Sequence, residues 1–240
     1  MEVLITICAR GGSIGIPKKN IKPLNNTPLI NYTINLAKKV ANRWNAKIAL
    51  STDNEEILNT ARLSNINTSY LRPKSLSNNK SGKVETLDHL VDYEEKKLSK
   101  TYDFILDLDV SSPLRNLDDI INGFNIISKD KNMLNLFSVS NPNRNPYFNV
   151  VEENKLTGYY NLVKKLNKPV QSRQMAPKVF DMNSSFYWYR RSFFNSGNNS
   201  PITDRTGIYI MNHICFDLDH NIDFTFMEFL IKNNLLDFTL

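Results

Sequence analysis

Three short runs carry side chains whose types and spacing suit phosphate chemistry. The first is Ala9-Arg10-Gly11-Gly12-Ser13-Ile14-Gly15, followed closely by Lys18, Lys19 and Asn20. Glycine reaches φ values that turn backbone N–H groups toward an anion. Arg10, Lys18 and Lys19 add fixed positive charge, and the combination suits a triphosphate. The spacing is neither that of a Gly-x-x-x-x-Gly-Lys-Ser/Thr loop nor that of a Gly-x-Gly-x-x-Gly dinucleotide turn. The same run also reads as an ordinary turn between a strand and a helix.

The second run is Asp217-Leu218-Asp219, after the apolar Ile214-Cys215-Phe216. On an extended segment two residues apart point to one side, about 7 Å from each other. Such a pair suits a hard cation shared with phosphate oxygens, which points to Mg²⁺. It equally suits the capping of a following helix. The third run, Ser111-Ser112-Pro113-Leu114-Arg115, follows Asp107-Leu108-Asp109 and turns at Pro113. Arg173-Gln174 and Asn183 are further candidates. A guanidinium can grip a carboxylate with two hydrogen bonds, and carboxamides can read sugar or base edges. Taken singly, each of these residues is also consistent with a purely structural role.

The elements that must position these residues alternate between strand and helix. Residues 3–9 form a continuous apolar run, as in a parallel strand covered on both faces. Thr27 and Pro28 read as a cap and first position of a helix running to about Val40. Residues 47–52 form a second strand, and Asp53 or Asn54 caps a helix with Glu55 and Glu56 in its first turn. Residues 67–71 read as a short strand, 72–82 as a loop and 83–98 as a helix. Residues 102–110 form the next strand, 117–128 a helix and 133–139 another strand. The alternation breaks after Asn141. Residues 147–151 and 156–160 suggest a hairpin, 180–189 an aromatic strand, 208–211 a short strand, and Asn221 the cap of a last helix.

The expected fold class is therefore α/β: a mainly parallel, twisted sheet with helices on both faces. Ligands of such sheets sit at the carboxyl ends of the strands. That places Arg10–Asn20, Asp53, Asp109 and Arg115 around one mouth. The 240 residues are read as one domain, 1–240, with 141–182 as an excursion suited to a subunit contact.

The composition fits this reading. No run approaches the roughly 18 apolar residues of a membrane helix, and residues 1–5 enter a strand without a basic leader, so a cytoplasmic chain is expected. The net charge of +6 comes from scattered residues, so small anions rather than nucleic acid are the expected partners. Cys8 and Cys215 sit in apolar runs and read as buried free thiols. His89, His213 and His220 lack metal-ligand spacing with them, so no zinc site is expected.

Taken together, the motifs resemble those of the acylneuraminate cytidylyltransferases, the CMP-sialic acid synthetases and their relatives. Ala-Arg-Gly-Gly-Ser is followed by Pro-x-Lys-Asn, then Ser-Thr-Asp, Leu-Arg-Pro and Ser-Pro-Leu-Arg. Arg-Gln, Asn-Ser-Ser-Phe-Tyr and Asp-x-Asp complete the series, which spans residue 5 to about residue 230. Residues 145–152 and 180–183 look closest to the legionaminic acid branch. The resemblance implies a Rossmann-like nucleotidyltransferase fold and a homodimer whose 141–182 segment reaches the partner's active site. It also implies a reaction: CTP and a nonulosonic acid give a CMP-sugar and pyrophosphate, the anomeric hydroxyl attacking the α-phosphorus. Such chemistry asks mainly for positioning and charge neutralisation. An eight-carbon keto acid as substrate, or a binding protein with weak catalysis, are the alternatives.

Carried over, the resemblance implies that Arg10 and Lys19 contact the triphosphate, with Ala9, Gly11, Gly12, Ser13 and Asn20 completing the cradle. Arg72, Asn79 and Asp109 then lie along the nucleotide, and Ser111 and Arg115 near its junction with the sugar. Arg173, Gln174 and Asn183 hold the sugar acid. Asp217 and Asp219 bind Mg²⁺, and one of them helps to deprotonate the anomeric hydroxyl. The chain departs from the family in three places. Ile14 replaces a loop lysine, a change of about 2–4 kcal/mol in transition-state stabilisation unless another cation such as Lys18 substitutes. Asn78-Asn79 lacks an acidic residue, and Asp109 replaces a glutamine.

Overall fold

The computed structural model describes residues 1–240 except Ile14 and Asn79, so both expectations attached to those residues lie outside the described residues. The strands are β1 (Val3–Cys8), β2 (Pro23–Leu24), β3 (Thr27–Pro28), β4 (Lys47–Ser51), β5 (Phe104–Leu108), β6 (Asn135–Ser140), β7 (Val151–Glu153), β8 (Tyr160–Leu162), β9 (Asp181–Arg190) and β10 (Thr206–Ile210). The helices are α1 (Leu29–Trp44), α2 (Glu55–Leu63), α3 (Lys83–Leu98), α4 (Leu117–Lys129), the short α5 (Arg191–Phe194) and α6 (Asn221–Lys232).

Six strands form the main sheet in the order β10-β6-β9-β5-β1-β4. The pairs β1–β4, β1–β5 and β6–β10 are parallel, as expected of strands joined through helices. Only β9 runs against its neighbours β5 and β6. The inner strands β1 and β5 lack polar alternation because both faces are covered. On one face Val3, Ile5, Ile7, Leu106 and Leu108 pack with Ile30, Ile34, Ala37 and Val40 of α1. On the other, Leu4 and Ile105 meet Leu87, Leu90 and Val91 of α3. The aromatic strand β9 divides the same way, with Phe186 and Trp188 in the first cluster and Tyr187 and Tyr189 in the second. Gly123 lets α4 lie close to the sheet, since a Cβ there would stand 2.8 Å from the Phe186 ring. Among the described residues, no helix is long and apolar enough to cross a membrane.

Several boundaries differ from the sequence expectation. Residues 67–71 are not a strand; beyond β4 the chain returns to the sheet edge with a backbone hydrogen bond from Arg72 N to Thr52 O at 3.1 Å. Thr27 and Pro28 do not open a helix. They pair with Pro23 and Leu24 across Asn25 and Asn26, whose φ values of 47° and 63° suit a tight hairpin, and α1 starts one residue later. The later hairpin is shifted to β7 and β8, because residues 147–149 are drawn into a turn by Asn145 and Gly158 closes the loop at φ 73°. The last helix is capped from His220: the Asp223 carboxylate accepts from the Asp219 and His220 amides at 3.0 and 2.7 Å. Asn54 caps α2 as expected, accepting from Ile57 N at 3.0 Å.

Candidate active site

A cavity of about 440 Å³ opens at the carboxyl ends of β1, β4 and β5. The chain following β1 forms one wall. It is anchored by short polar contacts: Ala9 N donates to Ser51 O at 2.9 Å, and Asn20 Nδ2 donates to Arg10 O at 2.8 Å. Gly11 N donates to Asp53 Oδ1 at 2.8 Å, so this amide serves the loop's own anchor. Gly11 also has to be glycine, because a Cβ would stand 2.8 Å from the Asn54 side chain. Arg10, Ser13, Lys19 and Asn20 line the cavity.

The opposite wall begins with Arg72. Its guanidinium is bound to the end of β4, Nε to Ser51 Oγ at 2.8 Å and Nη2 to Ser51 O at 2.9 Å. Ser81, Gly82 and Lys83 bring the first turn of α3 to the same cavity. The floor is the end of β5, where Asp109 Oδ1 accepts from Ser111 N at 2.8 Å. Asp109 is held below the usual carboxylate range: burial acts to raise it, but Lys83 and the Ser111 amide outweigh that.

The Asp217–Asp219 segment closes the remaining side through Asp219. Leu218 is fully buried and tied by its amide to Ser111 O at 2.9 Å. Lys19 Nζ donates to Leu218 O at 2.7 Å and lies 3.7 Å from Asp219 Oδ1. Gly15 is pressed against this segment so closely that a Cβ would stand 2.2 Å from Asp219 O. The phosphate-type loop and the acid pair are therefore one packed unit, although about 200 residues separate them. Asp219 faces the cavity with its side chain 68% exposed, whereas Asp217 turns inward. Burial, then Asp109 and Asp219, push the Asp217 carboxyl up to about 7. Its Oδ1 is buried and has no hydrogen-bond partner among the described residues.

That orphaned oxygen fits a cation better than it fits a helix cap. No group of three or more His, Cys, Asp or Glu side chains among the described residues is arranged to hold an ion alone. Two carboxylates together with oxygens of a bound phosphate form a hard-oxygen set of the kind Mg²⁺ takes.

Arg115, Asn183, Arg173 and Gln174 lie away from this cavity, and Ala9, Gly11, Gly12 and Asp217 border it without lining it. Arg115, expected beside the sugar, is 2% exposed and inside the protein. It donates to Ser185 O at 2.7 Å, Thr33 Oγ1 at 2.9 Å, Asp109 O at 2.8 Å and Ser112 O, and burial lowers its pKa to about 10. It braces the turn after β5 from behind. Asn183 is buried between Ser138 Oγ and Ser140 Oγ, at 2.6 and 2.9 Å, where β9 bulges against β6. Arg173 and Gln174 line a separate cavity of about 510 Å³ with Asn145 and Phe180, where Arg173 donates to Pro142 O. Lys18, the candidate substitute cation, instead pairs with Glu56 Oε1 at 2.7 Å. Conversely, the sequence reading missed Lys83. Its position marks only a helix start, and its partners Asp107 and Asp109 lie too far along the chain for any local pattern.

A mainly parallel sheet with anionic and cationic groups gathered at its carboxyl edge is the arrangement of a nucleotide-handling α/β enzyme. Residues 4–195 match the family described as cytidylyltransferase, and the chain belongs to that family; it is a nucleotidyltransferase. It is 36% identical to post-translational flagellin modification protein B of Campylobacter coli, over 98% of this chain and 97% of the relative. It is 34% identical to a CMP-N,N'-diacetyllegionaminic acid synthase of Campylobacter jejuni, over 96% of this chain and 95% of that one. Among solved structures, CMP:2-keto-3-deoxy-manno-octonic acid synthetase complexed with CTP superposes with a TM-score of 0.67, covering 98% of this chain and 100% of that one. At 15% identity that likeness speaks for the fold.

Proposed function

We propose that this chain joins CTP to a nonulosonic acid of the legionaminic type, giving the CMP-sugar and pyrophosphate. The observation that carries the reading is the packing of the Arg10–Asn20 loop against Leu218-Asp219, which sets Arg10, Lys19 and Asp219 around one cavity with Asp217 just behind it. The likeness to the legionaminic acid synthase over almost the whole chain supports the choice of sugar.

Arg10 and Lys19 hold the triphosphate by charge-assisted hydrogen bonds, with Ser13 and Asn20 closing the loop over it. Arg72 and Asp109 lie along the nucleotide, and Ser111 at its junction with the sugar. These groups place the α-phosphorus in line with the anomeric hydroxyl and neutralise the charge that passes to the leaving pyrophosphate. Asp217 and Asp219 would hold Mg²⁺, which supplies charge neutralisation at the phosphate oxygens when bound. Arg115 and Asn183 contribute by fixing the turn after β5 and the bulge in β9. The β7–β8 excursion exposes Val151, Leu156, Tyr159 and Tyr160, with Leu156 96% accessible, which supports its role as the contact of a homodimer. In that dimer the Arg173–Gln174 segment completes the sugar site of the neighbouring copy. The setting is cytoplasmic, where CTP is available.

The test is direct. The protein is incubated with CTP, Mg²⁺ and a panel of nonulosonic acids plus an eight-carbon keto acid, and pyrophosphate is measured. Release with a legionaminic-type acid is expected. No release with any nine-carbon acid would overturn the reading, and preference for the eight-carbon acid would replace it.

A further inference from the structure

Lys83 opens α3, and its ammonium reaches the end of β5, donating to Asp107 Oδ2 at 2.8 Å and Asp109 Oδ2 at 3.0 Å. Two residues apart on a strand, both acids point to one face. Their other oxygens are also engaged: Asp107 Oδ1 accepts from Thr6 Oγ1 at 2.9 Å, and Asp109 Oδ1 from Ser111 N at 2.8 Å. The Tyr187 ring centroid lies 4.3 Å from the Lys83 nitrogen. An ammonium has three donors. Two are given to carboxylates and the remaining face meets an aromatic ring. Asp107 is sealed inside, whereas Asp109 and Lys83 are part of the cavity wall.

An uncompensated carboxylate in that wall would repel a triphosphate, and a partly dehydrated cavity screens little of the repulsion. We propose that Lys83 is a positioning residue that acts through Asp109: it neutralises and orients this carboxylate, so that the pocket admits a triphosphate, and makes no contact of its own with the nucleotide. The inference rests on the reading of the cavity as the CTP site. Burial opposes the charge on Lys83, but Asp107 and Asp109 outweigh it and hold the ammonium firmly protonated.

A double-mutant cycle tests this. CTP affinity by calorimetry, and KM and kcat, are compared for wild type, Lys83→Met, Asp109→Asn and the double variant. Lys83→Met should weaken CTP binding on the order of tenfold, in KM rather than kcat, and less so at high salt. In the Asp109→Asn background the same change should cost no more than about twofold. An equal loss in both backgrounds, insensitive to Asp109, would overturn the proposal and make Lys83 a direct ligand of the nucleotide. Should Lys83→Met fail to fold, the cycle is run on Asp107→Asn, which leaves no buried acid unpaired. If the wild-type chain binds inorganic tripolyphosphate but not CTP, the function reading fails alone and the cycle is read with tripolyphosphate. Binding of neither overturns both.

Discussion

Replacing Gly15 with alanine attacks the joint between the phosphate loop and the acid pair. The added Cβ would stand 2.2 Å from the Asp219 carbonyl oxygen, a backbone atom that cannot rotate away, whereas ordinary contact begins near 3.4 Å. The two segments must therefore separate by about 1 Å. Overpacking of this kind costs about 1–3 kcal/mol, and an immovable obstacle puts Gly15→Ala at the upper end. The separation also strains the Lys19 Nζ to Leu218 O bond, now 2.7 Å, and carries Asp219 away from Lys19. A displacement of about 1 Å between groups that act together typically costs about a hundredfold in rate. Gly12→Ala is the matched control for stability, since a Cβ there meets nothing within 4 Å. Thermal denaturation and pyrophosphate release on both variants form the assay. Gly15→Ala should lose about 3 kcal/mol and about a hundredfold in kcat/KM, while Gly12→Ala keeps near wild-type stability. Indistinguishable variants would refute the idea that loop and acid pair are one unit.

Two further outcomes follow from the buried charges. Asp217, raised from 3.8 to about 7, binds its proton more tightly folded than unfolded, so the ligand-free protein should lose stability as pH rises between those values. Asp217→Asn should flatten that part of the stability profile while abolishing activity, which parallel melting curves and turnover assays would show. Arg115→Leu removes a guanidinium that serves five acceptors and should destabilise the fold by about 3 kcal/mol. A variant that melts like wild type yet loses only sugar affinity would return Arg115 to the substrate.

The readable part of this site shares one property: its residues gather at the carboxyl ends of buried strands. Apolar runs at 3–9 and 104–108 leave little choice of element, and parallel topology then brings Arg10, Lys19, Arg72, Asp109 and Ser111 to one edge. The acid pair was legible as a pair, but its union with Gly15 was not, because nothing local links residue 15 to residue 219. Boundaries slipped where a side chain rather than periodicity decides the end of an element. Asn25 and Asn26 adopt positive φ and delay α1, and Asp223 reaches back to set the start of α6.

Sequence by itself determined the α/β alternation, the glycine-rich basic loop, the two carboxylates and membership of a cytidylyltransferase family, because each is carried by residue types in short or regular patterns. Tertiary structure alone decided where the long charged side chains point. Arg115 turns into the core because backbone carbonyls gather there, Lys18 turns out to Glu56, and Lys83, silent in the sequence, spans two acids of another element. A flexible cationic side chain settles wherever the fold offers acceptors and shields it from water, and that depends on segments far away along the chain.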